Sequence, residues 1–451
     1  PAMLGGRAVA AVAACQGAIR PRALLRALRC SSGAGSAPSR GPSSARSAWR
    51  PWRSASGTSS GDVVLTQARL DQLLEAEITA LALRDPRPLT LQSILESTRD
   101  VAEMSNLLHE ELPVRYAQRI KMLESLPHWH ETRSIRHVRQ MYVTSFKELR
   151  LADPTQEQAF QRQLQNIKKR HSHTNLLVGG FKKYAQQEEM GEWEINDWLD
   201  RFFVLRVSTN MLISQYLEIA KGQTRPEPSS EGPCNPYQSS INPNCDPTFI
   251  ARHAAEVITE LCKQWYGCSP EIHVSDAGAQ PFPFVPRYLF YILSELLKNS
   301  VRATVEEHRG ERMAPVEVLV CSGEKVLSVR ISDEGGGIPV DRLSHVWSYL
   351  YTTAEPIEMP ITREGVDAPT DLRRLEMGLY NSVGHSLADG IEDHNMLMRS
   401  PLAGLGCGLP LSRLYAQYLG GEVKLHTLPS FGTDVFVYLN RLGTHNEELP
   451  E

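Results

Sequence analysis

The chain is predicted to be an α plus α/β protein, an N-terminal antiparallel four-helix bundle followed by an α/β sandwich. Three observations carry that expectation. Between Leu65 and about Ala220 glycine is scarce and apolar residues recur at three- and four-residue spacing. Past residue 247, β-branched runs alternate with helical stretches, the pattern of one sheet covered by helices. Residues 222–247 between them are rich in Pro, Ser, Asn and Gly and read as a linker. With 451 residues, 41% of them hydrophobic, the chain can bury two ordinary cores.

The first 61 residues come before either core. They hold nine arginines, no lysine and no acid, and the first carboxylate is Asp62. Taken from a total of 48 basic and 52 acidic residues, they leave 39 basic against 52 acidic side chains, so the body carries a net −13. An Arg-, Ser- and Ala-rich leader without acids has the composition of an organelle transit peptide, and 20–28 fits a short basic amphipathic helix. Mitochondrial-matrix import is favoured over a plastid address, and a disordered basic tail is the bland alternative. An acidic body argues against nucleic-acid binding. No apolar run of about 18 residues suggests a membrane span. Eight cysteines show neither C-x-x-C pairs nor zinc spacing, which points to a reducing compartment without a structural metal.

In the helical half, Val101, Met104, Leu107 and Leu108 form one apolar stripe and Trp198, Phe202, Leu205 and Leu212 another. Breaks are expected at Asp85-Pro-Arg-Pro, Glu111-Leu-Pro, Leu126-Pro and Asp153-Pro. The domains are thus 1–61 leader, 62–246 bundle, 247–443 sandwich and 444–451 tail. In the second half, helices are expected at Pro247–Tyr266, Pro286–Glu307 and Leu409–Leu419. Strands are expected at Glu271–Val274, Val316–Cys321, Val326–Ser332, Glu422–Thr427 and Asp434–Leu439. Residues 355–403 are a 49-residue insertion that reads as a lid, with a short helix expected at Met377–Leu387.

Three motifs carry the chemistry. On the helix around Glu295, the apolar residues Leu289, Ile292, Leu293, Leu296 and Leu297 face the sheet, while Glu295, Asn299, Arg302 and Glu306 form one polar stripe. The Asn299 amide oxygen is a hard ligand suited to Mg²⁺, and Glu295, one turn earlier, suits a general base. A solvated amphipathic face would show the same pattern. Asp333 then opens a glycine turn containing Gly335 and Gly337, where a carboxylate can accept the amine of adenine. Gly404, Gly406 and Gly408, with Leu405, Cys407 and Leu409 among them, run directly into a helix whose free N–H groups suit phosphate oxygens. Gly432-Thr433-Asp434 adds a hydroxyl. Each motif alone is weak; the ordered set specifies a nucleotide site.

That set resembles the Bergerat ATP-binding fold of histidine kinases, Hsp90, gyrase and MutL. More closely, Glu295-Leu-Leu-Lys-Asn299-Ser-Val-Arg302-Ala303, Tyr349-Leu-Tyr-Thr352-Thr353-Ala354 and Gly408-Leu-Pro-Leu-Ser-Arg413 resemble the mitochondrial pyruvate dehydrogenase kinases. Glu111-Leu-Pro-Val-Arg115, Leu199-Asp-Arg-Phe202 and Ser240-Ile-Asn-Pro-Asn-Cys245 extend the likeness into the helical half. The resemblance implies ATP- and Mg²⁺-dependent phosphorylation of a serine on the E1 component of a 2-oxoacid dehydrogenase, which inactivates that complex. It implies a homodimer whose bundle binds the lipoyl domain of the E2 core. It also makes Glu295 the base and Asn299 the metal ligand, with Lys298, Arg302 and Ala303 along the phosphates. Asp333 and Thr433 would hold adenine, Thr352 and Thr353 would touch the nucleotide, and Gly404–Leu409 would wrap the triphosphate. Neither a P-loop nor a His-Arg-Asp or Asp-Phe-Gly motif occurs.

The chain also departs from the family. Tyr291 stands where many members have a histidine four residues before the base, as in branched-chain relatives, which keeps a branched-chain E1 as the alternative substrate. A non-catalytic ATP-binding scaffold is the alternative from another class. An allosteric oxoacid pocket is implied at Tyr142, Ser145, His171 and Arg206, but Asn210 replaces an expected arginine and puts pyruvate-type inhibition in question. A phospho-accepting role for His171 is disfavoured. The ending after Arg441-Leu-Gly resembles plant members.

Overall fold

The computed structural model describes residues 66–98, 100–171, 175–224, 234–308, 312–352 and 406–449. The leader and the whole 355–403 insertion, with the helix expected at Met377–Leu387, lie outside these residues. Two compact units are distinguished, residues 1–77 and 78–451. The first contains the start of helix α1 (Gln67–Ala82), and the second holds all the later described elements.

The helical region continues with α2 (Leu91–Ser97), α3 (Val101–Glu124), α4 (Arg133–Leu151), α5 (Glu157–Arg170), α6 (Asn175–Gln187) and α7 (Glu192–Thr224). Local chemistry sets its boundaries. Thr90 and Ser93 form a capping box at α2, and the Asp100 carboxylate accepts the Ala102 N–H at α3. Val101, Met104 and Leu108 are buried, as are Phe202, Leu205 and Leu212. Helix α3 packs on α4 and α7, α4 on α6, and α5 on α7. The break expected at Glu111-Leu-Pro is absent, because α3 runs through Pro113. Proline removes one backbone donor there. The flanking Leu112, Val114, Arg115 and Tyr116 are all buried, and their packing outweighs that loss.

The second half opens with a feature the linker reading lacked, strand β1 (Asn242–Cys245) paired antiparallel with β3 (Phe282–Phe284). Helix α8 (Pro247–Tyr266) spans the residues expected, because Asp246 caps the Thr248 and Phe249 N–H groups, Pro247 fits the first turn and Gly267 ends it at φ 71°. Next come β2 (Ile272–Asp276), α9 (Pro286–His308), β4 (Val316–Ser322), β5 (Val326–Asp333), α10 (Gly408–Gln417), β6 (Glu422–Leu428) and β7 (Gly432–Asn440). The sheet order is β2-β4-β5-β7-β6, parallel only between β2 and β4. Val318, Val329, Ile331, Val435 and Val437 alternate inward on these strands. Helix α9 lies against β5 and both neighbouring helices, so its polar edge meets the ends of β5 and α10.

Candidate active site

The apolar residues Leu289, Ile292, Leu293, Leu296 and Leu297 of α9 are buried to within 1% exposure, which fixes the helix rotation and turns its polar edge outward. Asn299 is exposed there and Glu295 is half-buried. Lys298 donates to Glu295 Oε1 at 2.5 Å, and their side chains are only 5% and 14% exposed. Lys298, expected along the phosphates, is thus paired with the carboxylate one turn before it on its own helix. Arg302 Nε donates to Glu306 at 3.0 Å. Tyr291, one turn before Glu295, lies 5.0 Å from the Tyr415 ring. Desolvation, reinforced by the Glu295 charge, pushes its hydroxyl well above the ordinary phenol range, so it stays a neutral neighbour of the carboxylate.

Asp333 ends β5, opposite Thr433 on β7. Burial raises its carboxyl above the usual aspartate range, against the opposing hydrogen bonds from the Ser300 hydroxyl and the Gly335 and Thr433 N–H groups. Ser300, itself buried, therefore joins the acidic turn to the residue after Asn299. A Cβ at Gly335 would stand 2.6 Å from the Ala303 Cβ, so a glycine is what lets the turn sit directly on α9. Thr433 Oγ1 lies 3.2 Å from Thr427 Oγ1, and Thr427 accepts the Ile338 N–H at 2.7 Å, which fixes the edge beyond Asp333.

The third motif arrives from the other side. Helix α10 begins at Gly408, where a Cβ would collide with Glu295 Oε2. Cys407 at its N-cap makes no side-chain cap bond, so α10 starts beside Glu295 without a side-chain cap. Leu409 lies in that first turn. The Leu350 N–H donates to Gly406 O at 2.9 Å, so the stretch ending at Thr352 and the stretch starting at Gly406 meet. Tyr349 just before is anchored to α7 through Asp200 at 2.7 Å and Asn196 at 2.8 Å. Glu295, Lys298, Asn299, Arg302, Ala303, Asp333, Gly335, Gly337, Gly406, Cys407, Gly408 and Thr433 all belong to α9 or to the turns and strand ends beside it. Thr353, Gly404 and Leu405 lie outside the described residues.

A second cluster forms between α3, α4, α5 and α7. Tyr142 stacks on His171 at 4.4 Å, Ser145 Oγ is 2.8 Å from His171 Nε2, and Arg206 donates to the His171 carbonyl at 2.7 Å. The four residues singled out in the sequence are together. Two arginines that sequence reasoning missed join them. Arg170 donates to Ser145 and pairs with Glu148, both at 2.8 Å. Arg119, fully buried, donates to Thr209 at 2.9 Å and lies 4.8 Å from the Tyr142 ring. Burial and then the charges of Arg119, Arg206 and Arg170 hold the His171 imidazole well below its ordinary pKa, hence neutral. On α3, Arg119 reads as one more helical surface charge, and only its place between Ala117 and Ile120 hints at burial.

Comparison with known proteins agrees with this geometry. Residues 88–237 match the family described as mitochondrial branched-chain alpha-ketoacid dehydrogenase kinase. Residues 285–442 match the family described as histidine kinase-, DNA gyrase B- and HSP90-like ATPase. The chain is 32% identical over 363 residues to a mitochondrial [pyruvate dehydrogenase (acetyl-transferring)] kinase of Arabidopsis thaliana, covering 78% of this chain and 88% of that protein. It is 30% identical over 401 residues to isozyme 4 of Homo sapiens, covering 84% and 87%, and 32% identical over 405 residues to human isozyme 3, covering 84% and 89%.

Proposed function

The chain belongs to the mitochondrial pyruvate dehydrogenase kinase family, and from that membership we propose that it phosphorylates a serine of the pyruvate dehydrogenase E1 component in the mitochondrial matrix. The observation that carries the reading is the convergence on α9, where Glu295 meets the start of α10 and Ser300 binds Asp333. The glycine-lined turn on Ala303 and the uncapped start of α10 fit adenine and phosphates respectively. Asp333 with Thr433 holds the adenine. Arg302 and Ala303, Thr352 and Thr353, and Gly404–Leu409 line the rest of the nucleotide. Asn299, exposed one turn after Glu295, fits a Mg²⁺ ligand. When bound, the metal neutralises charge on the transferred phosphoryl group.

The protein's own part is positional. Glu295 accepts the serine proton, Lys298 fixes the orientation of that carboxylate, and Tyr291 stands near it as a neutral phenol. Little covalent chemistry falls to side chains, so alignment supplies most of the acceleration. The helical region, read as an antiparallel four-helix bundle, binds the lipoyl domain of the E2 core, and the enzyme acts as a homodimer after removal of a transit peptide. The Tyr142, Ser145, His171 and Arg206 cluster takes an oxoacid carboxylate as an allosteric site. A branched-chain E1 is the second reading, favoured by the match of residues 88–237 and by Tyr291.

The test is incubation with Mg·ATP and each purified E1, for wild type and Glu295→Gln. Transfer to a serine of pyruvate E1 is expected, falling by about 10²–10⁴-fold in the variant while nucleotide still binds. Transfer that survives the substitution sinks the base assignment. ATP binding without transfer to either E1 favours a scaffold.

A further inference from the structure

Three side chains that carry an acceptor oxygen recur every fourth residue along α7, Glu192, Asn196 and Asp200, and so share one face of that helix. All three bind the stretch 345–349. Glu192 Oε1 lies 2.9 Å from His345 Nδ1 and accepts from the Ser348 hydroxyl. Asn196 Nδ2 donates to Ser348 Oγ at 3.1 Å, and its Oδ1 accepts the Tyr349 N–H at 2.8 Å. Asp200 Oδ1 accepts the Tyr349 hydroxyl at 2.7 Å. Tyr349 is buried, with its ring 5.8 Å from that of Phe203, also on α7. The other Asp200 oxygen faces a different element. Oδ2 is 3.7 Å from Arg413 Nη2 on α10, and Arg413 in turn lies 5.3 Å over the Trp347 ring.

These two attachments bracket the start of α10. Directly after Tyr349, Leu350 takes a left-handed φ of 66°, which a residue with a bulky side chain rarely adopts. In that conformation its N–H donates to Gly406 O at 2.9 Å. Gly406, itself at φ 74°, admits the approach because it has no Cβ, which would stand 2.5 Å from the Tyr351 carbonyl oxygen. Two residues on, α10 begins at Gly408 against Glu295. One oxygen of Asp200 thus holds the stretch bonded to Gly406, ahead of α10, and the other faces Arg413 inside α10. Helix α7 also packs on α10 directly, so the three elements meet at this carboxylate.

We propose that Asp200 is a positioning residue for the nucleotide phosphates: its two oxygens set where the start of α10 stands against Glu295, so that ATP affinity depends on a residue of the helical region. The inference rests on the reading that the start of α10 holds the phosphates. Asp200 acts through Tyr349 and Arg413. The Tyr349 bond is the shorter and the more buried of the two, and the Arg413 pair is partly exposed and screened, so the tyrosine carries the larger share.

The test titrates the full chain and its Asp200→Ala, Asp200→Asn, Tyr349→Phe, Arg413→Met and Asp197→Ala variants calorimetrically with Mg·ATP and, separately, with adenosine. Phosphate transfer to purified pyruvate E1 is followed in parallel. Asp200→Ala should weaken ATP binding about tenfold, the worth of a charge-assisted bond, and leave adenosine binding as in wild type. Tyr349→Phe should account for most of that loss and Arg413→Met for little. Asp200→Asn, which keeps an acceptor for Tyr349, should lose less than Asp200→Ala. In transfer, Asp200→Ala should raise the KM for ATP about tenfold with kcat near wild type at saturating ATP. Asp197→Ala, whose carboxylate pairs with Arg201 at 3.3 Å on the helix surface, should match wild type throughout. Should Asp200→Ala not fold, Tyr349→Phe carries the same comparison. The proposal is overturned if these variants bind ATP as wild type does, if ATP and adenosine weaken together, as a loosened fold would give, or if kcat falls with KM unchanged. Wild type that binds ATP without transfer overturns the kinase reading, and the two titrations still decide this one.

Discussion

Replacing Glu447 with alanine should destabilise the protein by about 4 kcal/mol, because it strands a fully buried guanidinium. The Arg115 and Glu447 side chains have no exposed surface, and Arg115 donates twice to the carboxylate, at 2.5 and 3.0 Å. Tyr418 OH donates to Glu447 Oε2, and the Leu89 N–H donates to Oε1 at 3.1 Å. Burial opposes the Arg115 charge, yet Glu447 and its neighbours hold the proton more firmly than usual. Without the carboxylate, Arg115 keeps the Arg87 carbonyl at 2.9 Å and Glu111 at 3.9 Å, which temper the loss. An unpaired buried charge costs about 3–5 kcal/mol, and the two orphaned donors add about 1 kcal/mol each in partial overlap with that figure. Urea unfolding of wild type, Glu447→Ala, Arg115→Met and the double variant Arg115→Met/Glu447→Leu measures the effect. The double variant, with no charge left to bury, should be more stable than either single one. A Glu447→Ala cost below about 1 kcal/mol, or a double variant no better than the singles, refutes the reasoning.

Asp333→Asn should weaken ATP binding by about 10–100-fold, the worth of a charge-assisted bond, in a calorimetric titration. The same change should leave stability at pH 7 equal or higher: the raised carboxyl means the folded state disfavours the charge, so stability falls as pH rises from the unfolded pKa through the folded one. Lys298→Met should lower kcat by about tenfold or more with little change in the KM for ATP, as expected of a residue that acts through Glu295. A raised KM with kcat intact would place Lys298 on the phosphates instead. His171, held below its ordinary pKa, contributes stability that is fully present above about pH 6.5 and is lost as pH falls, because the unfolded chain takes up the proton first. His171→Gln should therefore flatten the difference in urea stability between pH 7.5 and 5.5, and an unchanged slope rejects a buried neutral imidazole.

Local signals made much of this fold readable. Asp246-Pro247 and Gly267 mark the ends of α8, and the five strands of the main sheet follow from alternating Val, Leu and Ile. The Pro113 expectation failed because a local cost of about 3 kcal/mol was set against four buried neighbours that no local rule sees. Strand β1 was hidden for a similar reason. Asn-Pro-Asn-Cys has turn composition and is extended only because Phe282–Phe284 lies beside it. In the active site, the motifs gave the residue types but not their partners. Ser300 looks like filler between Asn299 and Val301 until Asp333, 33 positions later, is seen to bind it.

The same limit applies to the surroundings of Glu295. The carboxylate is enclosed by Lys298 and Tyr291 of its own helix and by the start of α10, and α10 is not held by its own sequence. Tyr418, directly after α10, bonds to Glu447, and Glu447 bonds to Arg115 of α3, 332 positions away. One turn beyond Arg115, the same helix presents Arg119 to Tyr142 beside His171. A side chain on α3 thus holds the far end of the helix whose near end lies against the Glu295 carboxylate. Coupling needs contiguous packed groups of this kind. The surface ion pairs of the helical region, such as Arg201 with Asp197 at 3.3 Å, are screened and cannot supply it. The buried Arg115, Glu447 and Tyr418 contacts are the contiguous link between α3 and the end of α10.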